Sequence, residues 1–306
     1  MNDSQLSGRY PSSARRVLWA ALLAQSGIVV TGALVRLTGS GLGCPTWPEC
    51  TSGSLVPVAH QAQGWHKYIE FGNRMLTFVV TVVCIASLVV ALRTQPRRKP
   101  IVTLSLIGLC GVFAQALLGG ITVLAGLHPA TVAAHFLLSI VLIYFAHAAY
   151  ARSGESSDEP SRPVVRKEAY LVSRLLVCLS AGILFLGTIV TGSGPHSGDA
   201  KTTVRFQLDP RVISWLHADV VIFFVGLLTA TVLMLRMIDA PKLAQKRAVS
   251  LLAISLAQGL IGYVQYFSGL PELLVALHIV GALLVWVGSL DLLHALQSRE
   301  PASSSP

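Results

Sequence analysis

Three histidines set the chemistry open to this 306-residue sequence. His135 lies six residues after Pro129, His217 seven after Pro210 and His278 seven after Pro271, and each proline opens a long apolar run. Proline favours the first helical position, so each imidazole should sit roughly 10 Å down its helix at 1.5 Å per residue. A neutral imidazole inside an apolar bundle is most simply a hydrogen-bonded structural group. Two that face each other across a bundle can instead ligate one porphyrin iron from both sides. His217 and His278 form the best such pair. Structural zinc is disfavoured, because no third and fourth soft ligand lies at the same depth.

His135 has His278 as its partner in an internal repeat, described below, and the corresponding partner of His217 falls at Asn73 in "HKYIEFGNRML". An asparagine is a poor iron ligand. The first half would then hold a porphyrin through His135 alone, or through His66 and His128, each seven residues nearer the helix start. His128 reads more simply as an interfacial polar residue at a helix start. Glu70 shares a helix face with His66 and Asn73, at i+4 and i−3. An ionisable group in an apolar span is a candidate functional residue, although pairing with Arg74 at i+4 would explain it structurally. The second half has Ser214 and Ala218 where the first has Glu70 and Arg74, so the two halves have diverged, one toward a substrate and one toward a cofactor.

The elements that must position these groups are membrane helices. Apolar residues make up 53% of the chain and charged residues only 12%, with a mean hydropathy of +0.65, which excludes an ordinary soluble domain. Eight apolar runs, near 17–37, 68–92, 101–124, 130–150, 170–191, 211–235, 248–267 and 272–293, can each cross a hydrocarbon core of about 30 Å as a helix. The net charge of +9 would point to nucleic acid in a soluble protein, but here the charges sort by side. Most Lys and Arg, among them Arg15, Arg16, Arg93, Arg97, Arg98, Lys99, Arg166, Lys167, Lys242, Lys246 and Arg247, fall in the ends and loops that are cytoplasmic if both termini are. Cys44 and Cys50, in "TGSGLGCPTWPEC", then lie outside, where a disulfide can form. Cys84, Cys110 and Cys178 lie within apolar runs and are expected to pack in the core.

A polar linker at 151–169 separates four spans from four, giving an expected N-terminal bundle at 17–150 and a C-terminal bundle at 170–293. "AQALLGGITVLAGLHPATVAAH" (114–135) aligns without a gap with "AQGLIGYVQYFSGLPELLVALH" (257–278), matching Gln115 to Gln258 and His135 to His278; "TGSG" occurs at 38–41 and 191–194. The expected fold is all-α and integral to the membrane, with eight transmembrane helices in two pseudo-symmetric four-helix bundles related by an axis along the membrane normal.

On "TGSGLGCPTWPEC", "IEFGNR", "GPHSGD" and the repeated histidines, the sequence resembles the heme A synthase family from Arg16 to His294. The family is an eight-helix plasma-membrane enzyme that oxidises a methyl group of heme O to a formyl group, giving heme A for terminal cytochrome oxidases. The resemblance implies a cofactor heme b on His217 and His278, and heme O handled near His135, His66, Asn73 and Arg74 with Glu70 as the catalytic proton acceptor. It implies water as the source of the added oxygen, and heme O synthase and cytochrome oxidase assembly as partners. "IEFGNR" departs from the family's pattern at Asn73, where many members carry histidine. Arg36 is expected to meet a heme propionate or to anchor the interface. Two other classes fit parts of the pattern: a di-heme b-type electron-transfer protein without substrate chemistry, and a heme transporter.

Overall fold

The computed structural model describes residues 8–196, 198–199 and 204–299. Among the described residues there are eight long helices: α1 (Ser12–Leu37), α2 (His66–Arg93), α3 (Lys99–Leu124), α4 (Pro129–Ser153), α5 (Lys167–Ser193), α6 (Pro210–Met237), α7 (Lys242–Phe267) and α8 (Glu272–Ala295). All eight are long and apolar enough to cross a membrane, each extending an expected run by a few residues at one or both ends. Two short strands, β1 (Arg162–Pro163) and β2 (Gln297–Ser298), pair antiparallel and tie the linker to the segment after α8.

Local chemistry sets the helix ends. Pro129 and Pro210 open α4 and α6, with His128 and Asp209 as N-caps accepting from the backbone N–H of Ala130 and Arg211. The helices α3 and α7 end alike, in a Gly–Leu pair held at positive φ: Gly126 and Leu127 after α3, Gly269 and Leu270 after α7. Leu127 N–H reaches back to Thr122 O at 2.9 Å and Leu270 N–H to Gln265 O at 2.8 Å, closing both helices through the same six-residue loop. A leucine in the left-handed region costs on the order of 1–2 kcal/mol. The repeat in "AGLHP" and "SGLPE" thus encodes a shared, slightly strained turn.

Within the first four helices, α1 packs on α2 and α4, and α3 packs on α2 and α4, so α2 and α4 lie diagonally; α5–α8 repeat the arrangement, with α6 and α8 diagonal. The two rings meet through α1, α4, α5 and α8. Leu22, Val29, Ile140, Ile143, Leu184, Leu283, Trp286 and Leu290 form the seam's apolar core, and Trp286 Nε1 donates to Ile140 O at 3.2 Å. Large apolar side chains such as Phe78, Val82, Phe113, Leu260 and Phe267 point outward. A soluble protein would not tolerate so much exposed apolar surface, whereas lipid tails solvate it. Cys84 is buried as expected, but Cys110 and Cys178 are exposed on the apolar exterior rather than packed in the core.

Candidate functional site

Each of the three histidines sits against a glycine of the preceding helix. A Cβ built on Gly119 would come 3.2 Å from His135 Cε1, one on Gly262 3.1 Å from His278 Cε1, and one on Gly187 3.5 Å from His217 Cε1. The missing Cβ lets each imidazole lie close to the neighbouring helix. In all three rings Nδ1 is buried without a hydrogen-bond partner of normal geometry, leaving Nε2 as the nitrogen for a ligand. His217 and His278 lie on the diagonal helices α6 and α8. Half-buried imidazoles, oriented by packing and with an uncommitted nitrogen, fit axial ligation of a porphyrin iron.

Glutamine braces fix the turn that carries two of them. Gln115 Nε2 donates to His135 O at 3.1 Å and to Ser139 Oγ at 2.6 Å, and Gln258 Nε2 donates to His278 O at 2.7 Å. The fourth equivalent place is filled by Asn73, which faces Gly32 across α1 and α2, with Nδ2 3.9 Å from the glycine's built Cβ. Asn73 Oδ1 accepts from Thr31 Oγ1 at 2.8 Å.

Glu70 and Arg74 are joined, and they hold a loop. Glu70 is buried, Arg74 Nη2 meets its Oε1 at 2.6 Å, and its Oε2 accepts from Cys44 N–H at 2.6 Å. Arg74 also donates to the carbonyls of Cys44, Thr46 and Glu49 at 2.8–3.2 Å. The Arg74 guanidinium, expected near heme O, is therefore committed to the loop 38–65, which is closed by the Cys44–Cys50 disulfide. Lys67, also buried, donates to Val58 O and Ala59 O farther along the loop. The loop's Trp47 indole lies on Gly120 of α3, where a Cβ would collide with the ring. Gly119, the seat of His135, is the adjacent residue.

The remaining candidates serve the roof. His66 Nδ1 lies 2.9 Å from Ser40 Oγ, and its ring stacks on Trp65. His128 is exposed and caps α4. Arg36 reaches across to the loop after α5, donating to Thr191 O at 2.9 Å and to His196 O. His196 Nε2 is 2.9 Å from Leu270 O. Gly41 N–H donates to Gly198 O at 2.7 Å, and Ser40 bridges Asp199, so the two roof loops are stitched together.

The contacts at Gly32, Gly119, Gly120, Gly187 and Gly262, and those of Thr31 and Trp47, carry no mark in the sequence. Gly119 and Gly120 stand in the quoted repeat, but seating a ring requires knowing which helix lies opposite. A second group, at the opposite end of the helices, was also missed: His147 Nε2 lies 2.8 Å from Asp291 Oδ1, and Arg247 Nη1 lies 3.1 Å from Asp291 Oδ2.

This fold and site define a multi-pass membrane protein with paired imidazole seats under a disulfide-closed roof. Residues 15–200 match the model of the COX15-CtaA family, cytochrome oxidase assembly protein, and the chain belongs to that family. It is similar to the Heme A synthase of Geobacillus kaustophilus (strain HTA426), 35% identical over 109 residues, covering 35% of this chain and 32% of the relative. It is also similar to the Heme A synthase of Lysinibacillus sphaericus (strain C3-41), 37% identical over 134 residues, covering 42% and 41%. A third relative is the Heme A synthase of Listeria welshimeri serovar 6b, 33% identical over 127 residues, covering 40% and 41%. The chain thus spans 32% to 41% of the length of these relatives.

Proposed function

We propose that this protein is a heme A synthase of the plasma membrane, an oxidoreductase that converts the methyl group of heme O to a formyl group. The observation that carries this reading is the division of labour between two similar bundles. Both have imidazoles seated on glycines, but only the first adds the Glu70–Arg74 pair and the Trp47 loop above its histidine. A di-heme electron carrier has no use for that asymmetry, and the relatives' names favour the enzyme.

In this reading His217 and His278 hold a heme b in the second bundle. That group would supply reversible one-electron transfer at a potential set by the residues that hold it. His135 holds heme O in the first bundle, with the loop 38–65 as its lid. The substrate methyl group loses two electrons and two protons and gains water's oxygen to become an alcohol. A second round gives a geminal diol, which loses water to leave the aldehyde, so in net terms one water enters, four protons leave and four electrons pass to an external electron acceptor that the reaction requires.

The chain's own residues orient the substrate, exclude water and take up protons. Trp47 covers the apolar side of the His135 seat. Glu70 accepts the proton released as water attacks; its bonds to Arg74 and Cys44 N–H hold it in place, and taking up the proton loosens that clamp. Proton release and lid movement are thereby linked. The linker end of the bundles is cytoplasmic and the roof is outside, by the distribution of Lys and Arg. Heme O synthase would deliver the substrate, and cytochrome oxidase assembly would take the product.

Pigments extracted from membranes of cells that express the chain and are supplied with heme O test the proposal. Formyl-bearing heme is the expected product. Bound heme with no formyl product would leave the electron-carrier reading.

A further inference from the structure

The seat at Asn73 differs from the other three in a way that has a chemical consequence. Where they present an imidazole to the bundle interior, α2 presents a carboxamide, shorter than a histidine and with a nitrogen whose lone pair is delocalised into the amide. Its oxygen is the only atom of the group able to ligate a metal, and that oxygen already accepts from Thr31 Oγ1 at 2.8 Å. The single Thr31 hydroxyl proton has a second acceptor, Ile28 O at 3.1 Å one turn earlier, and is shared between the two. With Oδ1 held by Thr31, Nδ2 lies 3.9 Å from the Cβ position of Gly32 and has hydrogen-bond donors to offer.

An apolar cleft of about 240 Å³ lies along the seam of α1 and α2, with Gly27, Ile28, Thr31, Leu76, Val79 and Val80 in its lining. Thr31 thus lines this cleft as well as holding Asn73.

We propose that the first bundle holds its porphyrin iron by His135 alone, with the Thr31-oriented Asn73 carboxamide beside an open sixth position that takes a small exogenous ligand. This rests on the reading of the first bundle as the heme O site. The two halves then differ in iron chemistry: the second is closed by two imidazoles, and the first is open on one face and carries a hydrogen-bond donor there. Asn73 and Thr31 act as positioning residues.

The test uses the full chain in detergent, loaded with heme B and reduced with dithionite, with carbon monoxide as the probe. One of the two bound hemes should take up carbon monoxide and be high-spin beforehand, while the other stays low-spin and unreactive. Asn73→His should convert the reactive heme to the low-spin, unreactive form without loss of total heme. Thr31→Val should keep carbon monoxide binding but shift or broaden the C–O stretch, because the amide donor is no longer held. His135→Ala should abolish the reactive heme. A His135-dependent heme that is low-spin and inert in the unaltered protein would overturn this inference and leave the enzyme reading standing. No His135-dependent heme at all would overturn both.

Discussion

Trp47 and His135 rest on consecutive residues of one helix, the indole on Gly120 and the imidazole on Gly119. The loop 38–65 and His135 therefore both rest on the α3 backbone at 119–120. Gly120→Ala places a methyl group inside the indole and should expel Trp47, lowering formyl-heme output by about tenfold, or roughly 1.4 kcal/mol. Trp47→Ala should do the same, and the double variant should be no worse than either, since both remove one contact. A doubled loss in the pair would show that Gly120 acts elsewhere. Heme bound by His217 and His278 should be unchanged in all three.

The glycine seats can be tested half by half. A Cβ at Gly262 would press on His278, so Gly262→Ala should lower heme b content by about tenfold, as disturbing the support of a metal ligand commonly does. Gly119→Ala should reduce only the His135-dependent heme. Heme titration followed by absorbance separates the two, and equal effects on both hemes would argue against independent seats.

The Glu70–Arg74 clamp predicts a separation of activity from cofactor content. Glu70→Ala should stop formyl formation while leaving heme b bound, and a variant that still makes the product at the normal rate would remove Glu70 from the reaction. Arg74→Lys keeps the charge but loses the planar fork that reaches Cys44, Thr46 and Glu49. It should render the loop protease-sensitive. Replacing Cys44 and Cys50 together with serine should likewise cost more activity than heme b, whereas equal loss of both would make the disulfide a plain structural staple.

The linker carries its own pH dependence. Burial raises the Glu155 carboxyl above its ordinary value of 4.5, against the opposing pull of Arg299, Arg152 and Arg98. The folded state thus binds this proton more tightly than the unfolded chain. Its stabilising contribution is complete below 4.5 and is lost as pH rises through the raised folded value. Hydrogen exchange at 154–166 should therefore speed up across that window, and Glu155→Gln should flatten the dependence.

The spans were legible because about 20 apolar residues admit one solution in lipid, and the gapless repeat by itself set His135 and His278 in matching positions. Helix rotation was not legible. Lipid and protein interior are equally apolar, so nothing in the runs around Cys110 and Cys178 marks which face turns outward. Arg36 and Arg74 were readable as functional cations, but not as loop anchors, because their partners are backbone carbonyls that carry no sequence signature. The departure at Asn73 was visible in "IEFGNR", yet its tie to Thr31 needed α1 laid beside α2.

The roof loops share Gly41 N–H to Gly198 O and the Arg36 bonds to Thr191 and His196. Such a roof behaves as one plate hinged over both bundles rather than as two flaps. The loop over the first bundle therefore cannot lift without stretching its bonds to the loop after α5.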